Sequence, residues 1–315
     1  MVPRPVLFDT DIGSDVDDAL ALGLILAARD RIDLVGVTTV ASDPALAARI
    51  ASGLLGMAGR RDVEVAAGEA APILRRHGFN AFGHEKDCLL DGPGAPVVSE
   101  PAPERIVRAA REIAGLEIVL VGPLTNLARA LALDPELPRR VAGITVMGGH
   151  IREALIGDFV APFGIDYNLC IDPEASVAVL GAGFSTTLVT ADVTLQTWLT
   201  GASLERMRGG GELARTLAHQ VDLWSPVQRQ IFTAMGGRVD DDNKAFLHDP
   251  LTVFSLLDES VLTFESLRIV PTLEAGVFRT LEAPADQATG ATLRVAMQVD
   301  APRASAAIGE VLGNL

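Results

Sequence analysis

Five aspartates crowd into ten residues near the start of the chain, Asp9-Thr10-Asp11-Ile12-Gly13-Ser14-Asp15-Val16-Asp17-Asp18, with no lysine or arginine among them. Like charges at that density repel, and two remedies are available. Asp17 and Asp18 stand where a helix should begin, and its macrodipole favours each negative charge by roughly 0.3–1 kcal/mol. The rest of the repulsion asks for a hard divalent cation, because Ca²⁺ or Mg²⁺ takes clustered carboxylate oxygens and cancels their charge. Other polar residues able to converge on such a centre come much later, at Thr125-Asn126, Asp166-Tyr167-Asn168 and His248-Asp249.

The elements around these residues decide whether they can meet. Residues 5–8 form a short apolar run that reads as a buried strand, and residues 19–28 read as a buried helix. The acids therefore occupy a strand-to-helix turn at the carboxyl end of a strand, where open α/β sheets place their ligands. Near-continuous apolar runs at 34–40, 117–121, 143–147 and 187–190 mark further strands covered on both faces, and helix patterns at 44–58, 103–114, 126–133 and 173–180 alternate with them. The pattern predicts an α/β fold with an open, mostly parallel sheet and helices on both faces. Residues 203–260 lose the strand signal and read as mainly helical, with 204–208 and 212–232 the clearest pieces. Strands at 267–270 and 293–299 suggest an antiparallel, hairpin-like edge that makes the sheet mixed, and a last helix is expected at 302–312. No stretch resembles a linker, so a single domain over 1–315 is expected.

Composition narrows the partners. The net charge of −15 repels a nucleic-acid backbone or an anionic membrane, and a small neutral or cationic ligand suits this chain better. The longest apolar run, residues 19–28, falls well short of the ~18 residues that suggest a membrane span. The first strand begins by about residue 5, which leaves no room for a secretory leader, so a cytoplasmic protein is expected. Cys88 and Cys170 are too few for a disulfide framework and lack metal-ligand spacing. There is no Gly-x-Gly-x-x-Gly after the first strand and no Walker-type Gly-Lys-Ser/Thr, so neither dinucleotide nor phosphate cradling is signalled.

Five segments in order carry a resemblance: Asp9-Thr10-Asp11 through Asp17-Asp18-Ala19; Gly122-Pro123-Leu124-Thr125-Asn126-Leu127-Ala128; Met147-Gly148-Gly149; Tyr167-Asn168 with Asp172-Pro173-Glu174-Ala175; and His248-Asp249-Pro250-Leu251. On them the chain resembles the calcium-dependent, inosine-uridine-preferring nucleoside hydrolases along essentially its whole length. The resemblance implies a Rossmann-like nucleoside hydrolase fold, with the helical segment 203–260 near the active site. It also implies hydrolysis of the N-glycosidic bond of ribonucleosides, a homodimer or homotetramer, and a place in nucleoside salvage.

It further implies roles. A Ca²⁺ would be held by Asp11, Asp18, the main-chain carbonyl of Thr125 and Asp249, an all-oxygen set such as a hard cation requires. Asp11 would also serve as general base to the attacking water, Asp17 would grip a ribose hydroxyl, and Asn168 would lie on the same sugar edge. His248 would donate to the leaving base, since an ordinary imidazole pKa near 6.5 lets it give a proton near neutrality.

The chain departs from the family pattern in places. Two extra residues, Asp15-Val16, precede the Asp17-Asp18 pair, which makes Asp15 an alternative metal ligand or sugar contact. Asp43 replaces a family asparagine, and reads either as an added site carboxylate or as the N-cap before Pro44. Asp166 stands where a glutamate is usual and Val160 where an asparagine is, at positions that address the ribose 5′-hydroxyl. The base pocket draws on Phe82, His84, Tyr167, Trp198, Trp224 and Phe232; of these Trp224, Phe232 and His84 are the chosen candidates, each with a core or loop role as the alternative.

Asp240-Asp241-Asp242-Asn243 lacks the glycine and distant glutamate of an EF-hand and reads as a solvated loop; His77, His150 and His219 read as structural. Two other functions compete. A Mg²⁺-dependent phosphohydrolase would use Asp9 as nucleophile but leaves Asp17-Asp18 and His248-Asp249 without a task. A nucleoside- or ribose-binding protein with weak turnover would draw support from Val160 and Asp166.

Overall fold

Val6, Leu7 and Phe8 alternate between the two faces of strand β1 (Arg4–Thr10), and none of the three reaches solvent. A strand with no wet face must be covered on both sides. In the computed structural model, which describes residues 2–75, 78–162, 165–274, 277–284 and 289–315, this is how β1 sits. Its sheet also contains β2 (Ile32–Thr39), β3 (Val65–Ala67), β4 (Val97–Val98), β5 (Glu117–Leu120), β6 (Gly143–Met147), β7 (Thr186–Val189), β8 (Leu262–Glu274), β9 (Val277–Glu282) and β10 (Ala291–Val299). The order across the sheet is β9-β8-β10-β7-β6-β5-β1-β2-β3-β4. Every pair from β4 to β10 is parallel, while β8 pairs antiparallel with both β10 and β9.

Two apolar layers close over the sheet. Helices α1 (Asp17–Ala27), α2 (Pro44–Met57), α9 (Glu212–Ala234), α10 (His248–Phe254) and α11 (Ala301–Gly313) bury one face with Val6, Phe8, Val37, Val119 and Val189. The other face, carrying Leu7, Ile118, Val146 and Leu188, is covered by α3 (Ala102–Glu112), α4 (Thr125–Leu133) and α6 (Pro173–Leu180). The first of these helices, α1, has Asp17 to Leu26 buried all round, as a helix with no polar stripe must be. Shorter pieces fill the gaps: α5 (Tyr167–Ile171), α7 (Ala191–Thr194) and α8 (Gly201–Gly209).

The expected helices and parallel strands appear close to their predicted bounds, and the sheet is mixed as expected. Strands β3 and β4 were not expected, and the antiparallel edge differs in two elements. Strand β8 runs over thirteen residues, and β9, which sequence reading missed, pairs along it. In β9, Phe278 and Thr280 are buried and their neighbours are not, so its apolar signal is confined to alternate positions. In the segment 203–260 the helices α8 and α9 are separated from α10 by a loop over 235–247, in which Ala245–Phe246 pairs antiparallel with Trp198–Leu199. Among the described residues no helix is long and apolar enough to cross a membrane.

From β1 the chain moves outward through β2, β3 and β4, then returns to β5 on the opposite side of β1. That reversal opens a crevice at the carboxyl ends of β1 and β5.

Candidate active site

Gly13, at φ 103°, supplies the left-handed step by which the chain leaves β1 and turns into α1. The Ser14 N–H donates back to the Asp11 carbonyl at 3.2 Å, so the five acids are wound into a compact turn. Asp249 arrives from the first turn of α10, and its N–H donates to Asp17 Oδ2 at 3.2 Å. Asp15, Asp17, Asp18 and Asp249 each offer an oxygen within 4.8 Å of the others. Asp11 borders this group: Ser14 Oγ donates to its Oδ2 at 3.2 Å, and a Cβ on Gly122 would come within 2.9 Å of its Oδ1. Gly122 is thus the residue that lets the β5 backbone lie against the Asp11 carboxylate.

Burial and then mutual repulsion push Asp17, Asp18 and Asp249 well above the usual carboxylate range. Burial, then the charge of Asp15, pushes Asp11 up to about 8. Asp15 is half-buried, and its charge acts on Asp11, Asp17, Asp18, Asp249, Tyr167 and His248, which makes the inserted residue central to the turn. Oxygens gathered this closely suit a hard cation, and a counter-charge is what would allow all of them to ionise.

The acids form one end of a cavity of about 410 Å³ that no lysine or arginine among the described residues lines. Asp11, Asp15, Asp17, Asp18, Asp166, Asn168, Trp224, Phe232, His248 and Asp249 all reach it, so most of the expected site residues are brought together. Asn168 Nδ2 donates to the Val121 carbonyl at 2.7 Å, and Asp166 accepts from backbone N–H groups at the start of α5. Burial raises Asp166 to about 6.

Thr125, Asp43 and His84 are not among the residues lining the cavity. Thr125 does not line the cavity: its hydroxyl donates to Asp172 Oδ2 at 2.7 Å on the far side of the loop. The residue of this segment that does line it is Val121, which directly follows β5, while α4 begins at Thr125 and carries it away. Asp43 is exposed and caps α2, accepting from the Leu46 N–H at 3.0 Å. The left-handed residues Ala41 (φ 71°) and Ser42 (φ 38°) lead the chain into that cap. His84 lies one ring away from the cavity, packed on Trp224 at 5.6 Å between centroids. Val160 also lies outside, half-exposed in a short hairpin.

His248 Nδ1 lies 2.6 Å from Thr194 Oγ1, and its ring packs on Phe246 at 5.5 Å. Burial lowers its pKa to about 4, so at neutral pH it is an uncharged ring with one N–H, not the ready imidazolium that an ordinary pKa suggested. The opposite end of the cavity is apolar, with Phe82, Ile231, Phe232 and Met235 around one amide, Gln228. Gln228 was missed by sequence reading, although it lies four residues after Trp224 and shares its helix face with Ile231, Phe232 and Met235. Its Oε1 accepts from the Phe246 N–H at 2.9 Å and its Nε2 donates to Asn243 Oδ1 at 3.1 Å.

Asn243 closes the acidic loop, whose carbonyls at Asp240, Asp241 and Asn243 accept from Arg229. The loop therefore supports the Gln228 amide. Asp9 is fully buried, bonded to Thr38 at 2.5 Å and Asn126 at 2.8 Å, and faces no cavity, which removes it as a nucleophile for a phosphohydrolase. Cys88 and Cys170 are free thiols whose pKa burial raises. His150 is buried beside Thr280, His219 is exposed on α9, and His77 lies outside the described residues.

Comparison with known proteins gives a consistent picture. Residues 6–306 match the family model described as inosine-uridine preferring nucleoside hydrolase. Probable uridine nucleosidase 2 of Arabidopsis thaliana is 31% identical over 320 residues, covering 95% of this chain and 94% of that protein. The pyrimidine-specific ribonucleoside hydrolase RihA of Citrobacter koseri is 32% identical over 268 residues, covering 82% of this chain and 81% of its own. Among solved structures, a plant nucleoside hydrolase, the PpNRh1 enzyme, matches with a TM-score of 0.82 at 25% identity over 99% of both chains.

Proposed function

Because the chain belongs to the inosine-uridine preferring nucleoside hydrolase family and is a hydrolase of nucleoside N-glycosidic bonds, we propose that it cleaves ribonucleosides in the acid-lined cavity with the help of Ca²⁺. The observation that carries this reading is the cavity itself, which joins clustered carboxylates to an aromatic wall with the amide of Gln228. In this reading Asp11, Asp18, Asp249 and the Val121 carbonyl hold the cation, and Asp15 completes the set or contacts the sugar. When bound, the ion supplies Lewis acidity and neutralises the carboxylates.

The chain's own groups supply the rest. Asp11, set against the β5 backbone, takes a proton from the attacking water. Asp17 and Asn168 bind ribose hydroxyls, with Asp166 toward the 5′ end. As the glycosidic bond breaks, its electron pair goes to the base and positive charge builds on the ribose, where the surrounding carboxylates stabilise it. His248 meets the charge that develops on the leaving base with a hydrogen bond from its N–H. Trp224, Phe82 and Phe232 cover the base, and Gln228 meets its polar edge. Relatives named for uridine and pyrimidine nucleosides support uridine as the first substrate to try. The same reading extends to a cytoplasmic homo-oligomer acting in nucleoside salvage, which light scattering and cell fractionation test.

The activity test is purified protein with uridine, cytidine, inosine, p-nitrophenyl riboside and p-nitrophenyl phosphate, each with Ca²⁺ or EDTA. Ribose release that needs the metal is the expected result. Phosphate release, or nucleoside binding without turnover, would overturn the reading.

A further inference from the structure

Thr194 ends α7, the turn that follows β7, and is fully buried. Its hydroxyl lies 2.6 Å from His248 Nδ1, whereas the Ala191 carbonyl is 3.5 Å away, at the limit of a hydrogen bond. If Nδ1–H donated to Oγ1, the buried hydroxyl proton would be left with only that long contact, whereas Oγ1–H donating to Nδ1 gives it a short partner. The second arrangement makes Nδ1 the acceptor and puts the ring's own proton on Nε2. His248 also lines the cavity, so the edge opposite Thr194 is the one available to a ligand.

We propose that Thr194 is a positioning residue: its hydroxyl selects the Nε2–H tautomer of His248 and turns that N–H toward the leaving base. This rests on the proposed role of His248. The backbone on either side is held independently of Thr194 Oγ1. The Leu247 N–H donates to the Thr197 carbonyl at 3.1 Å, and Thr252 Oγ1 donates to the His248 carbonyl at 3.0 Å. Phe246 packs on the ring but has no polar group with which to choose between its nitrogens. Loss of the Thr194 hydroxyl therefore frees the tautomer and the ring's rotation while the main chain stays in place.

The test compares Thr194→Val, Thr194→Ser and His248→Ala on uridine and on p-nitrophenyl riboside, whose nitrophenolate leaves without help. In the Ca²⁺-loaded enzyme, Thr194→Val should lower kcat for uridine at least about tenfold while p-nitrophenyl riboside changes less than about twofold. Retained turnover of the second substrate is also the check on folding. Thr194→Ser should restore uridine turnover, because serine keeps the hydroxyl. Equal losses on both substrates, or unchanged uridine turnover, would overturn the proposal. If His248→Ala is selective for uridine and Thr194→Val is not, Thr194 alone loses its role. If His248→Ala harms both substrates equally, the leaving-base role of His248 falls and the proposal with it. Imidazole ¹⁵N spectra of the unsubstituted protein give an answer that needs no variant: His248 should carry its proton on Nε2, and a proton on Nδ1 contradicts the assignment.

Discussion

The two ends of the cavity are built by opposite means. The acid end is made of the turn from β1 into α1 and the first turn of α10, which bring carboxylates together, and burial raises their pKa values. The base end is made of one face of α9 together with the loop that carries Phe82, and its energy comes from aromatic area, not from charge. One end holds its residues against repulsion, which protons or a counter-ion relieve, and the other adapts by changing side chains along a helix. Chemistry should therefore be sensitive to single atoms at the acid end, and affinity to ring area at the base end.

The sharpest break in that contrast is Asp11→Asn. It should lower kcat by about 10²–10⁴-fold, the usual worth of a positioned base, without loss of fold, because it removes one of the repelling charges. Near-native kcat would take the base role away from Asp11.

Next in size is the coupling of ion and pH. Asp11 titrates at about 8 in the folded chain against an ordinary 3.8, so the folded state binds more protons than the unfolded one. Asp17, Asp18 and Asp249 shift in the same direction. A raised carboxylate pKa contributes stability that is fully present below about pH 4 and is lost as pH rises through the folded value. Without added ion, Tm should fall between pH 5 and 8. Ca²⁺ at about 100 times its Kd should return roughly 2.7 kcal/mol, most visibly at the upper end of that range. A Tm that is flat with pH in EDTA, or unmoved by Ca²⁺, would contradict the repulsion assigned to the acid end.

At the base end, Phe82→Ala should raise KM for nucleosides several-fold, in line with about 0.5–1.5 kcal/mol for an aromatic pair, and leave kcat nearly unchanged. A kcat effect as large as the KM effect would erase the contrast between the two ends. The smallest effect is Asp43→Ala. It should cost about 1 kcal/mol of stability through the lost cap on α2, read as a lower midpoint in denaturant, with kinetics unaltered. A change in KM would bring Asp43 back into the site.

Legibility in the sequence follows the same division. The acidic turn was readable because its residues are neighbours and their spacing is set by one strand, one glycine turn and one helix start. His248-Asp249 was readable as a motif, yet the low pKa of His248 comes from burial that no motif displays. Thr125 was misassigned in favour of its own segment's more conspicuous residue, because the segment's letters do not say where β5 stops and α4 begins. Gln228 was passed over among a helix's polar residues, although period counting from Trp224 reaches it.

By itself the sequence determined the α/β alternation, the family and the crowding of acids in the first turn. These follow from local patterns, since hydrophobic period and charge density act over a few residues. Only the tertiary structure decided that Val121 and not Thr125 borders the acids, that Asp43 caps a helix, that Asp15 is central, and that Thr194 holds His248. Each of these depends on segments far apart in the chain meeting at the edge of the sheet, where burial and direction are properties of the packing.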